Sequence, residues 1–146
     1  MAIRKIALLV GAVVCTSTVV QAETIEIKGV GVRFVPDVIY AEVGDTIAFR
    51  QMLTHFVDSV GNMWPTGAPK MRSAMGADYD YRVIQKGVYV FKCPPHWGAR
   101  MGGILIVGKP ADLNATIDRY IGIAESDASA KPAKALLTKF KDSLPN

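Results

Sequence analysis

The sequence predicts an all-β domain, a sandwich or barrel of short strands, closed by two C-terminal helices. Two observations carry this. Apolar and polar residues alternate over short runs, with turn signals every ten residues or so. Near residue 112 the apolar spacing changes from that of strands to that of helices. The chain has 146 residues, 50% hydrophobic and 21% charged, enough to bury one ordinary core.

Residues 1–22 read as a secretory leader. Arg4 and Lys5 give it a positive start, Ile6 to Val14 an apolar stretch, and Val20-Gln21-Ala22 a small-residue cleavage signal. Glu23 then begins the mature domain, residues 23–146. Ile6 to Val20 is too short for a membrane span, which needs roughly 20 apolar residues, and it contains Cys15, Thr16, Ser17 and Thr18. Val14 stands before Cys15 where a lipoprotein site needs a small residue.

In the mature chain, Thr24 to Lys28 alternates as a half-buried strand does. Phe34 to Tyr40 is an extended run interrupted by Pro36, which suits an edge strand. Glu42-Val43-Gly44-Asp45 is a turn, and Thr46 to Leu53 a strand. Gly61 to Gly76, with Pro65, Gly67 and Pro69, is a loop. Tyr79 to Val83 alternates again. Lys86-Gly87 turns into the strand Val88 to Phe91, and Gly102 to Val107 is the last strand. Residues 112–142 form the helical pair: Leu113, Ile117, Tyr120, Ile121 and Ala124 share one face, with Asp112 as a cap. Pro132 opens the second helix, and Ser126 to Ala130 links the two.

The formal net charge is +4, and two of those charges, Arg4 and Lys5, lie in the leader. The remaining Lys and Arg are spread along the chain, without the concentrated basic stripe of a nucleic-acid binder. Cysteine usage says more. Once the leader is removed, Cys93 stands alone in an oxidising compartment, so it is an intermolecular partner, a reactive thiol or a metal ligand.

Cys93, His96 and Met101 follow the spacing C-x2-H-x4-M on one loop between two predicted strands. A lone Cys is ordinarily a small buried hydrophobe and a lone His structural. Here the only other histidine, His55, lies at a strand end that a sandwich can bring beside this loop. One thiolate, two imidazoles and a thioether make the donor set of a blue-copper electron-transfer site. Thiolate and thioether suit Cu(I), imidazole suits Cu(II), and a mixed set lets the ion change oxidation state with little rearrangement. Zinc is the rival metal, but structural zinc sites favour further Cys or His, and methionine serves zinc poorly. Met63, Met71 and Met75 read as core or loop-surface residues, or as a hint of a copper carrier or chaperone.

These residues and their surroundings resemble the cupredoxins, and among them the pseudoazurins. The likeness lies in VGDTIAF, the single upstream histidine, the YRVIQKGVYVFKC approach, the PHWGARMGGILIVG exit and the C-terminal helices. It implies an eight-stranded Greek-key sandwich with two added helices, and one type 1 copper held by His55, Cys93, His96 and Met101. Two residues depart from the pattern. Phe56 stands where the family usually carries Asn, leaving only its backbone N–H to reach the Cys93 sulfur. Pro94 stands where the family usually carries Thr, removing a hydroxyl and a backbone donor while stiffening the loop. Both changes should move the redox potential.

The resemblance implies a soluble periplasmic one-electron carrier and no enzyme. A copper-dependent oxidoreductase of this fold needs further histidines, and only two exist. The implied partners are periplasmic redox proteins, a c-type cytochrome or a copper nitrite reductase, docking near His96. Pro94, Pro95 and Trp97 are expected to rim that docking face. Lys70, Arg72, Lys86, Lys92 and Arg100 are expected to steer an acidic partner.

Overall fold

The computed structural model describes residues 21–145, so the expected leader lies outside the described residues apart from its last two positions. Eight strands form two four-stranded sheets, followed by two helices: β1 (Thr24–Val30), β2 (Arg33–Val35), β3 (Val38–Ala41), β4 (Thr46–Arg50), β5 (Asp58–Ser59), β6 (Tyr79–Arg82), β7 (Gly87–Lys92), β8 (Gly102–Val107), α1 (Leu113–Ser126) and α2 (Ala133–Asp142). The first sheet runs β2-β1-β4-β6 and the second β3-β8-β7-β5. The pairs β1–β4 and β3–β8 are parallel, and the other pairs antiparallel. Among the described residues no helix is long and apolar enough to cross a membrane.

The predicted run Phe34 to Tyr40 is two strands in two sheets. Pro36 has no N–H to give a ladder, and it marks where the chain passes from β2, an edge of the first sheet, to β3, an edge of the second. The strand expected over Thr46 to Leu53 stops at Arg50, because Gln51 takes a left-handed backbone with φ +60°. The two-residue β5 carries too short a pattern to be seen in the sequence.

The central strands of the second sheet, β7 and β8, are buried on both faces, which explains why GGILIV in β8 does not alternate. Facing the first sheet, Tyr89, Phe91 and Leu105 join Ile27, Phe34 and Phe49 in one core. Phe91 meets the rings of Phe34 and Phe49 edge-on, with centroids 5.4 and 5.3 Å away. On the opposite face, Val88, Val90, Ile104 and Ile106 pack under Ile117, Tyr120, Leu137 and Phe140 of the helical pair. The helices come where the sequence places them, though Asp112 caps α1 through no side-chain hydrogen bond and Ser126 belongs to α1.

Candidate metal centre

The period of two that builds the inner face of the second sheet runs on into the site. Along β7 the inward residues are Tyr89 and Phe91, and the next inward position is Cys93. Along β8, Leu105 and Gly103 point the same way, and the position before them is Met101. The register pairs Phe91 with Gly103 and Lys92 with Gly102, so Cys93 and Met101 fall opposite one another, and the Cys93 N–H donates to the Met101 carbonyl at 2.8 Å. Both residues are buried and belong to the inter-sheet core.

Between them the chain makes a tight turn over Pro94–Ala99. The His96 N–H donates to the Cys93 carbonyl at 3.0 Å, and the Met101 N–H to the His96 carbonyl at 3.2 Å. Arg100 closes the turn with a left-handed φ of +65°. Gly102 and Gly103 leave room for this packing. A Cβ on Gly102 would sit 2.7 Å from the Trp97 ring, and one on Gly103 would enter the Phe91 ring.

His55 arrives from the other sheet, five residues past the end of β4 rather than at its end. Its N–H donates to the Met52 carbonyl at 2.8 Å, and its carbonyl accepts from Gly76 at 2.9 Å. Its ring lies against β1 at Gly29, where a Cβ would come within 2.7 Å of His55 Cδ2. Gly29 was not singled out from the sequence, because only the fold reveals that it walls the site.

Three donor atoms converge. His55 Nδ1 and His96 Nδ1 lie 3.1 Å apart, and Cys93 Sγ lies 3.7 Å from the first and 3.5 Å from the second. A point about 2.0 Å from all three exists in their plane, close to ordinary metal–imidazole and metal–thiolate bond lengths. No other group of three or more His, Cys, Asp or Glu donors comes so close together among the described residues. Burial lowers the His55 pKa, and the neighbouring His96 lowers it further, so the imidazole is held neutral with a free lone pair. The hydrogen-bonding neighbours of Cys93 Sγ are these two imidazoles, and the Phe56 N–H is not among them. The donor set therefore fits a copper ion.

Other expectations are corrected. Trp97 does not rim the site. It is 9% exposed, its Nε1–H donates to the Ser129 carbonyl at 2.8 Å, and it packs in the layer under the helices. A large apolar ring is more stable in the layer beneath the helical pair than facing water. Lys86 stands at the opposite end of β7 from Cys93, roughly 20 Å away at strand rise, and so cannot steer a partner to this end. Lys70 donates to the Gly61 carbonyl and lies over the Trp64 ring, much as Lys92 lies over the Trp97 ring and Arg72 pairs with Asp58. Lys92 and Arg72 do lie at the Cys93 end, since Asp58 pairs with both, and Arg100 is exposed on the loop. Met63 and Met71 are fully buried, leaving Met75 alone of the three exposed.

Comparisons with known proteins agree with this geometry. Residues 21–108 match the family model of copper binding proteins of the plastocyanin/azurin family. The chain is 34% identical over 84 residues to a pseudoazurin of Paracoccus pantotrophus, covering 56% of this chain and 58% of that protein. It therefore spans little more than half the length of the curated relatives it matches. The solved pseudoazurin of Hyphomicrobium denitrificans superposes with a TM-score of 0.59 at 27% identity, over 66% of this chain and 84% of that one. The pseudoazurin of Methylobacterium extorquens shares the fold, with a TM-score of 0.66 at 24% identity, over 80% and 98% of the two chains. With its three converging donors, its loop methionine and its added helices, this chain belongs to the plastocyanin/azurin family of copper-binding proteins, as a cupredoxin built on the pseudoazurin pattern with copper as its cofactor.

Proposed function

We propose that this protein is a soluble periplasmic carrier of single electrons that performs no catalysis of its own, with copper held by His55, Cys93, His96 and Met101. The observation that carries the reading is the triangle of Cys93 Sγ and the two Nδ1 atoms. Copper bound there supplies a one-electron couple, and the mixed soft and borderline donors serve both of its oxidation states.

The chain's own part is rigidity and access. Cys93 and Met101 are fixed by the strand register, His96 by the turn between them, and His55 by the wall at Gly29. Ligands held this firmly move little when the charge of the site changes. His55 is buried and His96 only partly so, which makes His96 the exit. Its Nδ1 faces the other donors, and the residue is partly exposed beside the exposed Pro95. With Trp97 turned inward, Leu53 at 84% and Met75 at 58% exposure are the apolar side chains on the segments flanking His55. Arg72, Lys92 and Arg100 add positive charge at this end, suited to brief docking of an acidic partner, a c-type cytochrome or a copper nitrite reductase. The leader of residues 1–22 supports the periplasm as the compartment.

The reading as a copper carrier loses its main support, since Met63 and Met71 are core residues and form no thioether-rich surface. Visible absorption separates the two. The copper-loaded protein is expected to show an intense thiolate-to-copper band and a reversible voltammetric wave, with Cys93→Ser abolishing the band. A colourless protein that holds only Cu(I) and does not cycle would overturn the proposal.

A further inference from the structure

Asp45 is a buried carboxylate that the copper site does not use. It is 5% exposed, at the turn between β3 and β4. Its Oδ1 accepts the backbone N–H of Glu23 at 2.8 Å and its Oδ2 that of Glu42 at 2.7 Å. It belongs to no ion pair among the described residues. Buried carboxylates ordinarily have a cationic partner. The nitrogen bonded to Oδ1 belongs to Glu23, the residue with which the mature chain is expected to begin. That residue is held from its other side as well, since the Glu23 carbonyl accepts the Thr46 N–H at 2.8 Å, so the nitrogen has a fixed position.

We propose that Asp45 is a binding site for the α-ammonium group of the processed chain, so that leader removal completes a buried ion pair. The proposal rests on reading residues 1–22 as a leader. A leader peptidase hydrolyses the Ala22–Glu23 peptide: water supplies the hydroxyl to the Ala22 carbonyl, the C–N bond breaks, and the nitrogen takes up protons to become –NH3+. A hydrogen bond from a neutral amide to the carboxylate then becomes an ion pair at the same place, with a full positive charge facing the negative one. The processed chain is thereby favoured in the folded state over the precursor.

The test compares the chain beginning at Glu23 with a free amine and the same chain acetylated at that nitrogen, which keeps an N–H but removes the charge. The free-amine form is expected to melt about 3–8 °C higher. In an Asp45→Asn background the difference should vanish. Equal melting of the two forms, or an equal gap in the Asn background, overturns the proposal. If Asp45→Asn does not fold, the Glu23 amine is titrated by NMR in the native chain, where it should titrate above the ordinary value of about 8. Glu23, Glu42, Tyr40 and Lys109 line the same recess and share its field. An amine titrating at or below its ordinary value also overturns the pairing. Mass spectrometry of the exported protein tests the leader separately: a first residue other than Glu23 refutes that reading while leaving the acetylation result standing.

Discussion

The central strands of the second sheet, β7 and β8, are buried on both faces, and the two faces do different work. The inner face is continuous with the ligands: Phe91 leads to Cys93, and Gly103 leads back to Met101. The outer face holds the helical pair and takes in Trp97, a loop residue that turns away from the site. The inner core thus sets where the donors sit, while the outer layer fastens the loop to the helices. Damage to the two should be distinguishable, although both cost stability.

The largest expected effect is Phe91→Ala. It removes a ring that makes edge contacts with Phe34 and Phe49, and should cost about 3–5 kcal/mol. Because Cys93 follows two residues later on the same face, the thiolate-to-copper band should also shift. Leu137→Ala, buried in the outer layer, should cost about 2–4 kcal/mol and leave that band unchanged. Urea unfolding and visible spectra of both variants check this. A spectral shift in Leu137→Ala equal to that of Phe91→Ala would abolish the distinction between the faces.

Alkaline pH probes both layers at once. Burial pushes the phenols of Tyr81 and Tyr89 up, Tyr89 to about 12, and also raises Tyr120, whose hydroxyl donates to the Val88 carbonyl. The unfolded chain ionises these groups near pH 10, before the folded one does. The stability they contribute is therefore full below pH 10 and lost as pH climbs towards 12, by roughly 2–3 kcal/mol for Tyr89 alone. Urea midpoints between pH 8 and 12 should fall over that window, with phenolate absorbance rising as the protein unfolds.

What the sequence made legible follows the same division. The period of two in VYVFK and the spacing C-x2-H-x4-M are local, and they pointed to the strand, the loop and three of the four donors. His55 was reachable because only two histidines exist, yet its position past a strand cut short at Gln51 was not, since a left-handed backbone leaves no mark on an apolar pattern. Trp97 was misplaced for a related reason: its burial depends on α2 and the Ser129 carbonyl, more than thirty residues away. The two-sided burial of β8 also needed the helices in place, because a continuous apolar run does not say what covers each face.

Gly29 is the smallest change and the most selective. It lies in β1 opposite Phe34, in the sheet whose strand β4 leads to His55. An alanine Cβ there would meet His55 Cδ2 at 2.7 Å and the Gln51 carbonyl oxygen at 3.0 Å, and the backbone oxygen cannot swing aside as a flexible side chain can. The imidazole must tilt, at a cost of about 1–2 kcal/mol in stability. Cys93, His96 and Met101 remain held by their own register, so Gly29→Ala should keep a coloured site but bind copper more weakly in competition with a chelator. Its helical layer should be untouched, with the Trp97 fluorescence signal unchanged. If copper affinity were also unchanged, the wall at Gly29 would not be what positions His55, and the hydrogen bonds to Met52 and Gly76 would suffice.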